Sequence, residues 1–461
     1  MSTKDSARRQ ARQDKAGHKR RRRTLYKALA AASALVLGAG GVVIAGQVAS
    51  AGQGTARSAP VTDTIDCPDV GEKLTEVPDQ ARGDVDRELA ALDTQIADAY
   101  QRLATGRAPA DALLGELKDR RGATIGKMSD AIGRAAARPD KLQELSACAM
   151  RKAPAADEEL ARGGGSSKGG PARSDFVAIG SVKPNVRRPA SKSGASKGSF
   201  AVECGRNDER HLNPDNVIVA PGVSNGAHHM HDYVGNRTTD AFSTNNSLAA
   251  SGTTCTNGDL STYYWPVLRL RDGKAEQDAG APGGGQDANV GTILEPKQVS
   301  IEFKGSPVSR VTAMPRFLRI ITGDAKALTN GPANANASWS CTGFENRQLK
   351  DKYPICPKGT DVVRTFNFQS CWDGKNIDSA NHRTHVAFAK RDGSCPAGFK
   401  ALPQLVQRIV YATPPGARFA VDSFPEQLHK PVTDHGDFIN VMSDQLMDRA
   451  VRCINGGRAC R

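Results

Sequence analysis

The ten cysteines of this chain fall into two groups, and this division constrains the fold more than any other feature. Cys67 and Cys148 flank a segment with helical periodicity, and the other eight lie between residues 204 and 460. None of the eight belongs to a Cys-x-x-Cys motif, which argues against thiolate zinc fingers. An even number of cysteines in an exported chain favours disulfides. We therefore expect two folded units, each with its own disulfides.

The positions of the cysteines along the chain suggest some of the disulfide pairs. Cys67 would pair with Cys148 across the ends of the helical segment, Cys341 with Cys356, and Cys453 with Cys460. The sequence leaves open how the remaining four pair, namely Cys204, Cys255, Cys371 and Cys395.

Residues 1–51 are predicted to be an export signal or an N-terminal membrane anchor. A run of four arginines at 20–23 precedes the uncharged, apolar stretch 28–46, and the small residues at 49–51 form a cleavage site. Residues 22–27 resemble a twin-arginine export signal. The apolar stretch approaches the ~20 residues that span a bilayer, so an uncleaved anchor in the membrane is the alternative. Both interpretations place the chain after about residue 52 outside the cytoplasm, secreted or anchored.

The formal net charge of +14 would suggest a nucleic-acid partner if it lay on a folded surface. Residues 1–27 carry a net +9 and residues 151–200 a net +6, so the rest of the chain sums to −1. We therefore expect no nucleic-acid partner. Residues 151–200, rich in Gly, Ser and Lys, are expected to be a flexible linker whose charge could contact an anionic wall or lipid surface. Residues 175–179 within it could form a short strand or a docking segment.

Residues 52–150 are predicted to be helical. Apolar residues recur at steps of three and four, as expected for one face of an amphipathic helix: Val85, Leu89, Leu92, Ile96, Tyr100 and Leu103. A second such stretch follows residues 106–109, which contain a glycine and a proline. This pattern predicts an antiparallel hairpin, which we interpret as a spacer or a protein-contact module.

Residues 201–461, called the β domain below, show a different pattern. Short apolar or alternating runs are separated by clusters of Gly, Pro, Asn and Asp, and no βαβ rhythm occurs. We expect a mainly β, sandwich-like domain with long loops and disulfides. The runs predicted as strands are 217–219, 262–268, 299–303, 317–321, 362–368, 385–388 and 405–411.

Histidines in this domain are the candidate metal ligands: His229, His231, His382, His385 and His435. On a strand, His229 and His231 would share a face, because side chains alternate with a period of two. Imidazole and carboxylate groups could hold a divalent transition metal or act as acids and bases near neutral pH. Any one of these histidines by itself is better interpreted as a hydrogen-bonded structural residue.

Two further groups of residues are candidates for a carbohydrate site. Asp373, Asp437 and His385 are the candidate catalytic residues, because acid and base groups are what glycoside hydrolysis needs. The aromatic rings of Trp372, Tyr264 and Trp265 could stack on a sugar, although alternate members of the Tyr-Tyr-Trp run at 263–265 would also suit a core. No Gly-x-Ser-x-Gly elbow, P-loop or dinucleotide glycine motif is present.

The β domain resembles family 1996 of the domains of unknown function, which occurs in secreted proteins of fungi and actinobacteria. The resemblance covers residues of about 204–455 and depends on an ordered set of motifs. These are Pro221-Gly222, His229-x-His231, Tyr264-Trp265-x-Val267, Cys371-Trp372-Asp373-Gly374, His382-x-x-His385-Val386-Ala387-Phe388, Cys395-Pro396 and Asp434-His435-Gly436-Asp437. The resemblance implies no particular reaction. Carbohydrate-binding modules joined to some fungal members imply a wall or polysaccharide setting.

These features predict an exported cell-envelope protein whose β domain presents a histidine-lined pocket that acts on, or binds, cell-wall polysaccharide. In a hydrolytic version, Asp373 or Asp437 would be the acid or base and Trp372 would stack on a sugar. The alternative is a non-catalytic module, in which the histidines store a metal or form a structural network and the helical segment binds a partner.

Overall fold

The computed structural model describes residues 63–152, 171–272, 274, 276, 278–414 and 416–461. The predicted leader and its apolar stretch at 28–46 lie outside these residues, as does the glycine-rich first half of the linker. Among the residues that are described, no helix is both long and apolar enough to cross a membrane.

The helical unit (residues 63–152) contains α1 (Val70–Lys73), α2 (Asp79–Ala104) and α3 (Ala110–Gly133). Helices α2 and α3 form the predicted antiparallel hairpin, joined by a turn in which Gly106 has a φ of 66°. Ion pairs between Arg102 and Glu116 (2.8 Å) near the turn, and between Arg134 and Asp84 (2.9 Å) at the far end, connect the two helices.

The two ends of the helical unit are tied together. Strand β1 (Asp63–Asp66) pairs antiparallel with β2 (Ala149–Lys152), and Cys67 forms a disulfide with Cys148 next to them. The apolar face of the hairpin is buried against itself and against the β domain: Val85, Leu92, Ile125 and Met128 share one cluster with Ala380. The helical unit is therefore packed onto the β domain and is not a free spacer.

The β domain is built on two main sheets, as the sequence predicts. The six-stranded sheet has the order β12 (Ser338–Cys341), β14 (Val362–Asn367), β18 (Gln404–Tyr411), β10 (Gln298–Lys304), β4 (Ser199–Val202) and β21 (Ala459–Cys460). The five-stranded sheet has the order β11 (Arg319–Gly323), β20 (His435–Ile439), β7 (Thr262–Pro266), β6 (His231–Gly235) and β5 (Leu212–Asn213).

The main core includes the inner faces of both sheets. Phe303 of the six-stranded sheet and Phe438 of the five-stranded sheet are both fully buried, with ring centroids 6.0 Å apart. Strand β18 shows the alternation expected of such a layer, because Leu405 and Ile409 are buried while their neighbours Gln404 and Arg408 are partly exposed. The domain is thus sandwich-like.

Smaller elements fill the long connections. Three-stranded sheets are formed by β19 (Phe419–Val421), β8 (Leu268–Leu270) and β9 (Thr292–Ile293), and by β16 (Val386–Ala387), β15 (Cys371–Trp372) and β17 (Lys400–Ala401). The helices are α4 (Asn245–Ala249), α5 (Ala327–Asn330) and α6 (Asp444–Asn455).

The second half of the expected linker is attached to the β domain. Strand β3 (Phe176–Ala178) pairs in parallel with β13 (Tyr353–Ile355), and the Asp175 carboxylate forms a buried ion pair with Lys430 (2.8 Å). The short strand that the sequence offered as one alternative at residues 175–179 is therefore present, and this part of residues 151–200 is held against the β domain.

One predicted strand is wrong. Residues 217–219 form a turn, because the side-chain oxygen of Asn216 accepts hydrogen bonds from the backbone N–H groups of Ile218 (3.0 Å) and Val219 (3.2 Å). An apolar run of three residues cannot by itself distinguish this turn from a strand.

All ten cysteines form disulfides. The pairs Cys67–Cys148, Cys341–Cys356 and Cys453–Cys460 are those expected from the sequence, and the structure adds Cys204–Cys255 and Cys371–Cys395. Five disulfides are typical of proteins from oxidising, extracytoplasmic compartments.

Candidate metal site

Two histidines begin parallel strands of the five-stranded sheet. His231 is the first residue of β6 and His435 the first of β20, with β7 between them and antiparallel to both. His231 lies opposite Pro266, and the register that places Asp437 opposite Tyr264 puts His435 at the same level. The two imidazoles therefore flank one end of β7.

The third histidine comes from the chain just before β6. His228 has a φ of 53°, in the left-handed region, and the chain then turns so that His229 points toward the other two. The Nε2 atom of His229 lies 3.1 Å from that of His231 and 3.3 Å from that of His435, and the last two are 3.5 Å apart. The three side chains are 0–3 % exposed. We call His229, His231 and His435 the histidine triad.

Hydrogen bonds on the outer side of two rings determine which nitrogen carries the proton. The Nδ1 atom of His231 lies 2.9 Å from the carbonyl oxygen of Asp215, and that of His435 lies 3.0 Å from the carbonyl oxygen of Thr433. Because a carbonyl oxygen only accepts, both Nδ1 atoms donate. A neutral ring then has a lone pair on Nε2, so two lone pairs face each other at the centre of the triad.

The environment of the triad keeps its three imidazoles neutral at pH 7. Burial lowers the pKa of His229 and of His231 well below the usual histidine value, and the neighbouring imidazoles lower both further. Burial also lowers the pKa of His435, to about 4. Neutral imidazoles with their outer nitrogens bonded to backbone carbonyls are the usual arrangement of histidine ligands to metals.

A carboxyl group lies beside the triad. Asp437 is two residues beyond His435 on β20, so its side chain is on the same face, with its Oδ2 atom 3.9 Å from Nε2 of His435. Its Oδ1 atom accepts a hydrogen bond from Nδ2 of Asn216 (3.4 Å), whereas Oδ2 is buried without a hydrogen-bond partner among the described residues. Burial raises the pKa of Asp437 to about 7.

The triad opens into a cavity of about 140 Å³ between the β domain and the helical unit. At ~30 Å³ per water molecule, that volume would hold about five water molecules. His229, His435 and Asp437 line it directly, and His231 lies behind them. The helical unit supplies the facing wall, which includes Asp69, Val70, Glu72, Leu89, Leu92, Asp93, Ile96 and Arg121.

Polar contacts hold the helical unit over this cavity. Nζ of Lys326, at the start of α5, lies 2.6 Å from Asp93 and 3.7 Å from Asp69. Oγ1 of Thr94 lies 3.2 Å from Nε2 of His228, whose Nδ1 is 2.7 Å from Asp287. The cavity is therefore completed by the segment that the sequence suggested was a spacer or a protein-contact module.

A second buried carboxyl group, Glu426, lines the same cavity. It is 4 % exposed, and its Oε2 atom has no hydrogen-bond partner among the described residues. Burial raises the pKa of Glu426 to about 7, from 4.5 in an unfolded chain. The folded state therefore keeps a proton that the unfolded chain has released, and the free energy of unfolding should fall as the pH rises from 4.5 through 7.

The Glu426→Gln substitution should remove this pH dependence. As the pH rises from ~5 to ~8, the free energy of unfolding of the variant should increase by about 1–3 kcal/mol relative to that of the wild type, because glutamine has no proton to lose. Urea denaturation at both pH values measures the change, with the exposed Glu144→Gln as the control. If the free energies of unfolding of the variant and the wild type differ by the same amount at both pH values, Glu426 is already ionised in the folded protein at the lower pH.

The other predicted ligands lie outside the triad. His382 lines the cavity, and its Nδ1 is bonded to Asp378 (3.0 Å); burial lowers its pKa but the Asp378 carboxylate raises it above the usual value. His385 is bonded to the hydroxyl of Ser379 (2.9 Å) and the carbonyl of Arg319 (2.7 Å). Both rings thus have other partners, and the triad is completed without them.

Asp437 lines the cavity, but the other residues predicted for a carbohydrate site do not. Asp373 accepts hydrogen bonds from the backbone of Lys375 and Asn376 and so stabilises a turn. Trp372 is partly buried next to it and donates to the carbonyl of Asn376 (2.6 Å). Tyr264 and Trp265 are fully buried, because they belong to the central strand of a covered sheet, so neither ring offers a face to a sugar in this structure.

Comparison with known families agrees with the motifs. Residues 216–441 match the model described as "Domain of unknown function (DUF1996)". The β domain resembles this family. The match covers just under half of the chain, from Asn216 past Asp437, and so includes the whole triad. The helical unit lies outside the DUF1996 match, although it forms one wall of the cavity. Comparisons with curated proteins and with solved structures found no match.

Proposed function

We propose that the DUF1996-like domain binds a divalent transition metal through His229, His231 and His435. The convergence of three buried imidazole nitrogens within 3.5 Å of one another carries this proposal. Two of them present lone pairs to each other, and a cation between them converts this repulsion into coordination. Neutral imidazole suits zinc, copper, iron and nickel.

The ligand set favours a metal with a reactive position over a purely structural one. Three protein ligands that leave a coordination position open are typical of catalytic zinc sites, whereas structural sites are closed by four. A metal there would polarise a bound water or substrate oxygen. Asp437, beside the open side of the triad, would accept or donate the proton of that group.

We further propose that this site acts on, or binds, cell-wall carbohydrate outside the cytoplasm. Five disulfides and the predicted leader support an exported protein. The cavity is lined by carboxyl, amide and imidazole groups, which suit the hydroxyls of a sugar, and it has room for about one ring. Asp437 is the candidate acid or base, since Asp373, Trp372, Tyr264 and Trp265 do not line the cavity.

The burial of the triad favours a second candidate, a non-catalytic metal-binding module. The three rings are almost completely covered, and the helical unit forms one wall of the cavity in front of them. A stored or structural metal ion would not have to be reached by a polysaccharide chain.

A screen of the purified protein against wall polysaccharides, with release of sugars as the readout, distinguishes the two. The catalytic proposal predicts release that is lost on chelation, restored by one metal, and lowered at least about a hundredfold by Asp437→Asn. Asp373→Asn is the control and should retain activity. If metal binds but no polysaccharide is bound or cleaved, the module is non-catalytic.

A glycine next to the triad provides a separate test of the geometry. Gly323 pairs with His435 at a φ of 88°, and a Cβ there would lie 2.3 Å from the Asp434 carbonyl and 2.7 Å from Cα of His435. Gly323→Ala should therefore shift His435 and weaken zinc binding by about tenfold or more, measured by calorimetric titration. Gly331→Ala is the matched control, because the φ of Gly331 is also about 90° but no atom of the described residues would lie within 4 Å of its Cβ. Equal affinities in the two variants would contradict the assigned role of His435.

A further inference from the structure

A basic groove lies on the β domain, beside the ordered second half of the expected linker. The groove has a volume of about 480 Å³. One side is lined by Arg187 and Arg188, and the other by Lys390 and Arg391. All four side chains are exposed. Positive charges that are about 200 residues apart in the sequence therefore face a common space, and none of these residues belongs to the metal site.

The first side of the groove is held at both ends. The backbone N–H of Asn185 donates to the carbonyl of Asn346 (2.9 Å), and that of Lys192 donates to the carbonyl of Pro307 (2.8 Å). The six residues between them, including both arginines, are thus fastened to the β domain. Their charge belongs to a folded surface and not to a free tether.

The second side is a short disulfide-bonded loop. Cys395 is joined to Cys371, and the N–H of Lys390 donates to the carbonyl of Ser394 (2.8 Å). Gly393 in this loop has a φ of 87°, and a Cβ on it would lie 2.5 Å from Pro307 and 3.4 Å from Pro189. The two sides therefore meet at Gly393, and the groove exists before any ligand binds.

The positive charge of the groove is largely uncompensated. Asp392 is paired with Lys192 at 3.8 Å. Within the described part of the chain, Arg187, Arg188 and Arg391 form no ion pair with an acidic side chain. Phe388 also lines the groove and is 39 % exposed, which is unusual for a phenylalanine in this protein.

We propose that this groove binds a linear anionic polymer of the cell envelope whose charges are phosphodiesters. Three of the four cations are arginines, and the planar guanidinium matches the oxygens of a phosphate in a two-point hydrogen bond. A groove between two fixed walls admits a chain, whereas a lipid surface is met by a flat or protruding basic surface. Phe388 gives the carbon backbone of such a polymer an apolar contact. The polymer would hold the protein in the wall, independently of what the metal site does.

Binding of the full chain to purified poly(glycerol phosphate) teichoic acid tests this proposal. We expect binding that weakens as salt rises, and that weakens by about tenfold or more in each of two double variants, Arg187→Ala/Arg188→Ala and Lys390→Ala/Arg391→Ala. The control variant Arg107→Ala/Lys118→Ala removes the same charge from exposed positions on the helical unit and should bind as the wild type does.

Three outcomes would overturn the proposal. Equal weakening by the control variant would mean that only net charge matters. Equal affinity for polygalacturonate would show that phosphate is not recognised. Tighter binding to vesicles containing anionic phospholipid than to the polymer would make the surface a membrane contact. Circular dichroism of each variant checks that folding is retained.

Discussion

Zinc in large excess over its dissociation constant is expected to raise the free energy of unfolding of the wild-type protein by about 3–4 kcal/mol. The His435→Ala variant should gain almost nothing from the same zinc. The reason is linkage: an ion that binds only the folded state stabilises it, and the three ligands are assembled only by folding. Side chains of the helical unit cannot replace the missing imidazole, because they face the triad from across the cavity.

The comparison is made within each variant, with and without zinc, by urea denaturation. This design separates metal binding from the loss of packing that His435→Ala causes by itself. His211→Ala is the control, because His211 is a partly buried histidine that stacks on Tyr233 and hydrogen-bonds to the Thr239 carbonyl, and its imidazole is not one of the three proposed ligands. If zinc stabilises His435→Ala as much as it stabilises the wild type, the assigned ligands are wrong.

Replacement of Arg364 by methionine is expected to lower the free energy of unfolding by about 3–5 kcal/mol. Arg364 and Asp434 are both fully buried, and two guanidinium nitrogens lie 2.5 and 3.1 Å from the carboxylate oxygens. The guanidinium also donates to the carbonyl of Pro266 (2.9 Å) and the hydroxyl of Tyr411 (3.2 Å). Methionine would leave a buried carboxylate without its cation.

The double variant Arg364→Met/Asp434→Leu should recover most of this loss. A buried ion pair costs much of its own attraction in desolvation, so removing both charges is far cheaper than removing one. Urea denaturation of the two single variants and the double variant measures the coupling. If the double variant is as unstable as the sum of the single ones, the two residues do not act as a pair.

The architecture followed from the sequence where periodicity or cysteine spacing specified it. The three- and four-residue steps from Val85 to Leu103 predicted α2. The apolar or alternating runs predicted β7, β10, β11, β14 and β18 but not the other strands of the two sheets. The turn at residues 217–219 was missed because the Asn216 side chain, not apolar periodicity, determines the backbone there. The strand at Phe176–Ala178 was predicted only as one of two alternatives, because its partner lies about 180 residues away.

The site was predictable only in part, for a related reason. Residue type indicated His229, His231, His435 and Asp437 as candidate site residues, but it indicated His382 and His385 just as strongly. The difference lies in strand register, since only His231 and His435 begin strands on either side of β7. Lys326, Glu426 and the helical wall gave no signal, because charged residues in a sequence look alike whether they are buried or exposed.

The metal content of the purified protein is the most direct test of the central claim. We predict one tightly held transition-metal ion per chain, with X-ray absorption showing nitrogen ligands at about 2.0 Å when the ion is zinc, and its loss in His229→Ala, His231→Ala and His435→Ala. Retention of the ion in those three variants, or failure of the wild type to hold any transition metal offered to it, would contradict the account.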